Sequence, residues 1–118
     1  MISKLQEKAL RASVAFIERK GLDILDSDPG SGYADLVALD DGALVFIHVT
    51  CSADEDGRFP EEPADREAAE KAAAEWLRKH EDAPADTSVR FDEIALVLVG
   101  ERRALLRYHT DALGGLAS

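Results

Sequence analysis

Residues 32–50 read GYADLVALDDGALVFIHVT, and this stretch decides the fold. Two apolar, β-rich runs, 33–39 and 43–50, are separated by two aspartates and a glycine. An Asp-Gly pair between such runs is typical of a β-hairpin. The stretch therefore predicts two antiparallel strands that are neighbours in a sheet.

The second of these strands is predicted to have two different faces. Successive side chains of a strand point to opposite sides of the sheet. One face would carry aliphatic residues only, and the other would carry an aromatic residue with two polar ones. The first set is Val45, Ile47 and Val49, and the second set is Phe46, His48 and Thr50.

Two helices and three further strands are predicted around this hairpin. Apolar residues at helical spacing predict helices over 4–20 and 63–80, the second with an alanine-rich stripe that includes Trp76. Residues 51–62 are acidic and without periodicity, which predicts a loop. The remaining strands are predicted over 22–25, 91–99 and 103–109.

The order of these elements is α-β-β-β-α-β-β, which predicts an α/β fold with a mixed sheet flanked by helices. The chain has 118 residues, of which 46% are hydrophobic and 32% are charged. This length and balance are typical of one globular domain, so we expect a single domain over residues 1–118.

The charge of the chain is unevenly distributed. The formal net charge is -10, from 14 basic and 24 acidic residues. Residues 21–57 hold nine acidic residues and no Lys or Arg, whereas residues 1–20 hold five basic and two acidic ones, a net of +3. An acidic chain repels phosphate backbones and anionic lipids, so partners among nucleic acids or membranes are not expected. A protein partner or a homo-oligomer is expected instead.

The single cysteine, Cys51, cannot form an internal disulfide, which favours a reducing compartment and hence a cytoplasmic protein. We expect its thiol to be buried and unreactive. The longest apolar stretch, residues 43–49, is too short to span a membrane, and the first residues do not form a secretion signal. Neither secretion nor membrane insertion is therefore expected.

Five segments of the chain resemble, in order, segments of a known family. They are ERKGLDIL (18–25), GYADLVALDDGALVFIHVT (32–50), AAAEWLRKH (72–80), RFDEIAL (90–96) and TDAL (110–113). Together they resemble the YraN family of small endonuclease-like proteins, over about residues 9–113. The resemblance implies a restriction-endonuclease-like fold.

The resemblance also implies the positions of a metal site of the PD-(D/E)xK type. In such sites carboxylates hold Mg²⁺, the metal activates a water molecule, and a lysine orients that water. The family's Gly-Glu-Ile-Asp motif falls on residues 32–35 and keeps Asp35. Its Glu-x-Lys motif falls on His48 to Thr50, and its helix glutamate falls on Leu10. Asp35, His48 and Thr50 are therefore relict catalytic positions, with at most a weak metal site at Asp35.

These substitutions favour a protein that is not an enzyme and that acts as an interaction module without a cofactor. Two alternatives remain open. One is a divalent-metal-dependent nuclease, using Mg²⁺ or Mn²⁺, with a rearranged site built from Asp35, His48 and Glu7, provided that Glu7 faces the sheet. The other is an acidic interaction protein that mimics the charge of DNA. Asp35 could also serve only as a hydrogen-bonding residue at the start of a strand.

Overall fold

A computed structural model describes residues 4–27, 33–59, 65–83, 88–100 and 102–112. It confirms the predicted α/β class and the order α-β-β-β-α-β-β. The elements are α1 (Lys4–Arg19), β1 (Asp23–Asp26), β2 (Leu36–Asp40), β3 (Ala43–Ala53), α2 (Arg66–Lys79), β4 (Val89–Val99) and β5 (Arg103–His109).

The five strands form one mixed sheet in the spatial order β1-β2-β3-β4-β5. All neighbouring pairs are antiparallel except β3 and β4, which are parallel from Leu44 opposite Val89 to Ala53 opposite Leu98. Parallel neighbours cannot be joined by a tight turn and need a long crossover connection. The segment that contains α2 provides this connection.

The turn between β2 and β3 confirms the predicted hairpin. Asp40 lies opposite Ala43, which leaves Asp41 and Gly42 as a two-residue turn. Both of these residues have positive φ, 48° and 88°. A type I′ turn requires this backbone conformation, and Asp-Gly supplies it at low cost.

The end of α1 is set by Gly21, which has a φ of 93°. The N–H of Gly21 donates to the carbonyl of Glu18 at 3.0 Å, and the N–H of Leu22 donates to the carbonyl of Ile17 at 3.2 Å. These two bonds define a Schellman motif. Because Leu22 and Ile17 are both buried in one cluster, the motif also fixes the angle at which the chain enters β1.

The sheet has a hydrophobic core on each face. The α1 face contains Ile17, Leu36, Ala38, Val45, Ile47, Ile94 and Leu96, with Val49 and Cys51 packed against them. The α2 face contains Val37, Leu44, Phe46, Ala69, Ala72, Ala73, Trp76 and Phe91. The predicted alternation along β3 is confirmed, and the alanine stripe of α2 packs on this face of the sheet. Within the described ranges, neither helix is long and apolar enough to cross a membrane.

Several predicted boundaries are wrong. The strand predicted from residue 33 begins at Leu36, and the loop predicted from residue 51 begins only after Ala53. The reason in the second instance is the parallel pairing of residues 51–53 with β4. The second helix begins at Arg66, because the Asp65 side chain caps it by accepting from the N–H of Ala68. Its predicted start at residue 63 lies outside the described residues.

Candidate functional site

Asp35 lies immediately before β2 and is bound to β3 through both its backbone and its side chain. Its N–H donates to the carbonyl of Ile47 at 2.8 Å. Its carboxylate oxygen Oδ2 accepts from the N–H of Val49, also at 2.8 Å. The two bonds hold Asp35 beside His48, which lies between these two residues of β3.

The imidazole of His48 is held from two sides. Its Nδ1 lies 2.7 Å from the carbonyl oxygen of Tyr33 and 3.4 Å from Oδ2 of Asp35. The ring stacks on that of Tyr33, with centroids 4.3 Å apart and planes 14° apart. Because both neighbours of Nδ1 are acceptors, we assign the proton of the neutral ring to Nδ1. A carboxylate and an imidazole are thus brought together, as a proton-transfer pair requires.

The other two positions implied by the resemblance are placed differently. Thr50 is two residues beyond His48 on the same face of β3, and it is 8% exposed. Leu10 packs against the core of the α1 face, together with Val49, on the opposite side of the sheet from His48. The structure therefore brings Asp35 and His48 together and adds Thr50 to their side, but it does not bring Leu10 to the same face.

Glu7 does not complete a rearranged site. That alternative required the side chain to face the sheet, but Glu7 is exposed on α1. Although Glu7 is one helical turn from Leu10, its side chain lies in solvent rather than against the sheet. In the part of the chain that the structure describes, no three His, Cys, Asp or Glu residues are grouped so that they could hold a metal ion. Asp35 and His48 together offer one carboxylate and one imidazole.

Cys51 lies near Asp35, and it packs against the core of the α1 face. Burial raises the pKa of its thiol, and the negative charge of Asp35 raises it further. A higher pKa leaves less of the reactive thiolate at neutral pH. This agrees with the expectation of an unreactive cysteine, although the residue is only half-buried.

We expect Cys51 to react with iodoacetamide several-fold more slowly at pH 8 than the same thiol does in the urea-unfolded chain, because the thiolate fraction falls as the pKa rises. In Asp35→Asn the negative charge is lost while an acceptor oxygen remains for Val49, so the pKa should fall and the rate should rise. Exposed Asp82, changed to Asn, is the matched control. If the alkylation rate reached its half-maximum at a pH equal to or below that of the unfolded chain, the raised pKa of Cys51 would be contradicted.

A cluster of charged residues around the buried Asp92 was not predicted from the sequence. The Asp92 side chain is completely buried and accepts from Nε and Nη2 of Arg90, both at 2.9 Å. It also accepts from the hydroxyl of Tyr108 and from the N–H of Asp111. Nη1 of Arg90 reaches Asp40 at 2.9 Å. We call these five residues the Asp92 cluster, and they connect β2, β4, β5 and the turn after β5.

The charge states in the Asp92 cluster follow from its hydrogen bonds. Bonding to Asp92 raises the pKa of Arg90, so the guanidinium stays charged. Burial, followed by the hydrogen bond to Asp92, raises the pKa of Tyr108, so the phenol stays neutral. A sequence signal did exist, since Arg90 and Asp92 flank buried Phe91 and must share one face of β4. Because these groups bond to one another and balance one another's charge, they indicate a structural role for the cluster.

Comparison with known proteins does not identify a family for this chain. No protein-family model matches the chain, and a search of curated proteins finds no match. The functional proposal therefore rests on the geometry above and on the resemblance of the five segments.

Proposed function

We propose that the chain is a degenerate YraN-like protein with a restriction-endonuclease-like fold, and that it acts in the cytoplasm as a non-catalytic interaction module. Three features of the fold support the first half. Such a protein is expected to have the element order α-β-β-β-α-β-β and a parallel crossover through α2. It is also expected to have the hairpin that carries Asp35 and His48. The resemblance of five sequence segments supplies the family.

The observation that carries the non-catalytic half is the role of the Asp35 carboxylate. Its Oδ2 accepts from the backbone of Val49 and lies beside the His48 ring, so it serves to hold the hairpin together. Metal-assisted phosphodiester cleavage needs several oxygen ligands that converge on one ion and a cation near the attacking water. The His48 and Thr50 side chains supply neither a second carboxylate nor an ammonium group.

The position of Leu10 supports the same conclusion. It is aliphatic, and it packs on the α1 face of the sheet while His48 and Thr50 occupy the other face. A carboxylate at this place would have to reach around the sheet edge to share an ion with His48. The module is therefore best described as one in which the scaffold has been kept and the ligand set has been lost.

We expect no Mg²⁺- or Mn²⁺-dependent cleavage of duplex, single-stranded or branched DNA above background at neutral pH, because the ligand set is incomplete. Gel analysis of end-labelled substrates, over a time course with each metal, measures this. Asp35→Ala and the exposed control Asp82→Ala are assayed in parallel. Cleavage that is lost in the first variant and kept in the second would show that the site is active.

A further inference from the structure

A groove lies between α2 and the first residues of β4, on the α2 face of the sheet. Its volume is about 470 Å³. Exposed Glu70 adds a negative charge to its lining, so the groove favours an occupant that is not acidic. The apolar part of the lining consists of Ala73, Ala74 and Leu77 of α2 with Val89 and Phe91 of β4.

The first residues of β4 form an open edge beside this groove. β5 pairs with β4 only from Glu93 onward, although β4 begins at Val89. Among the described residues, no further strand lies on the β5 side of residues 89–92. Backbone N–H and C=O groups at such an edge are available to another extended segment.

The hydrogen bonds of β4 show which of its backbone groups point to this edge. The N–H of Leu44 on β3 donates to the carbonyl of Ser88, so the backbone groups of Ser88 point toward β3. In a strand, the backbone groups of successive residues point alternately to the two neighbouring strands. Arg90 therefore also bonds toward β3, whereas Val89 and Phe91 present their N–H and C=O groups to the open edge.

The chain returns to this edge after β5. Asp111 has a φ of 55°, and its N–H donates to Oδ1 of Asp92 at 2.8 Å. The N–H of the next residue, Ala112, donates to the carbonyl of Phe91 at 2.7 Å. The described residues end at Ala112, and the sequence LGGLAS (113–118) follows. This segment therefore starts from a backbone that is already bonded to the open edge.

The sequence of the segment fits the groove. It has no charged side chain, and it contains two leucines and two glycines. Side chains opposite each other on paired strands share a face, so Ala112 would share the α2 face with Phe91. In an extended continuation, alternation would put Gly114 and Leu116 on the same face and Leu113 on the opposite one. Leu116 is thus the side chain that can enter the groove.

We propose that residues 113–118 add a short strand to the open edge of β4 in the same molecule, and that Leu116 fills the groove against Val89 and Leu77. The hydrogen bond of Ala112 makes this binding intramolecular, which gives the segment a high effective concentration over any separate occupant. The inference does not depend on the proposed function, because it concerns the start of β4 and its test measures backbone exchange.

Amide hydrogen exchange of the full chain, followed by NMR, tests the added strand at the N–H of Val89. We expect this amide to exchange at least about tenfold more slowly than in an unstructured chain, because the segment supplies an acceptor. Leu116→Ser removes the side chain that holds the segment, and Ala74→Phe fills the groove from exposed α2. Each variant should speed exchange of the Val89 amide about tenfold.

Two controls accompany this measurement. Leu113→Ser changes the same residue type in the same segment but on the opposite face, so exchange at Val89 should stay as in the wild type. The N–H of Arg90 points toward β3 and should exchange slowly in the wild type and in every variant. Slow exchange at Arg90 shows that a variant has kept the sheet, and either Leu116→Ser or Ala74→Phe suffices if the other loses it.

Four outcomes would overturn the proposal. The first is exchange of the Val89 amide at the unstructured rate in the wild type. The second is unchanged protection in both Leu116→Ser and Ala74→Phe. The third is an equal effect of Leu113→Ser and Leu116→Ser, which would exclude Leu116 as the side chain in the groove. The fourth is protection that falls on dilution together with a dimer in analytical ultracentrifugation, which would assign the groove to the segment of a second copy.

Discussion

Asp92→Ala is expected to lower the free energy of unfolding by about 3–5 kcal/mol, because it removes the buried acceptor of Arg90, Tyr108 and the Asp111 N–H and leaves Arg90 only its ion pair with Asp40. Four donor atoms converge on this carboxylate, and all of them lose their acceptor at once. A loss of this size is a large fraction of the stability of an ordinary domain, which is about 5–15 kcal/mol. Urea denaturation followed by the fluorescence of the single tryptophan, Trp76, measures the effect.

Two variants calibrate this result. Tyr108→Phe removes one donor and leaves the ion pair, so it should cost about 1–2 kcal/mol. Asp82→Ala changes an exposed aspartate in the turn after α2 and should stay within about 0.5 kcal/mol of the wild type. If Asp92→Ala were as stable as Asp82→Ala, the Asp92 cluster would not hold the strands together.

Replacing Leu10 by Glu, His48 by Glu and Thr50 by Lys should create divalent-metal affinity beside Asp35. The new carboxylate at position 48 would lie next to that of Asp35, where the His48 ring now lies 3.4 Å away. Without a metal, two adjacent carboxylates repel each other. When a divalent metal ion is present, both can bind it. At Mn²⁺ concentrations about 100 times Kd, bound metal should stabilise the variant by about 2.7 kcal/mol, a rise of about 10 °C in Tm. Calorimetric titration and thermal melting measure both quantities.

The wild type and the same triple variant with Asp35→Ala are the controls, and neither should be stabilised by the metal. The double variant with His48→Glu and Thr50→Lys alone should bind Mn²⁺ as well as the triple variant, because Leu10 lies on the other face of the sheet. A folded triple variant that binds Mn²⁺ no better than the wild type would show that the positions carried over from the family are wrong.

Local signals predicted most of the fold. Asp41 and Gly42 specify the hairpin, and Gly21 specifies the end of α1, because each effect depends on a few adjacent residues. Strand ends were predicted less well. Residues 51–53 are polar or small and lack alternation, but they become strand through pairing with β4, which is distant in sequence. Pairing between distant segments leaves no local pattern to find.

In the candidate site, too, features set by local sequence could be predicted and features set by distant residues could not. The proximity of Asp35 and His48 could be anticipated, because both lie on a hairpin whose register the turn determines. The stacking of His48 on Tyr33 could not, since residue 33 lies before the regular strand. The Asp92 cluster was missed because its members come from three strands and a turn. Only the Arg-x-Asp spacing on β4 was visible in the sequence.

The parallel pairing of β3 with β4 determines the order in which this chain can fold. The three strands from β1 to β3 follow one another with short connections, as do β4 and β5, so each group can pair early. The central pairing joins Leu44 to Val89, which are 45 positions apart in the chain. Closing so long a loop costs entropy before its contacts form, and such pairings are slow. We therefore expect the two locally formed parts of the sheet to meet late in folding, along the β3–β4 pairing.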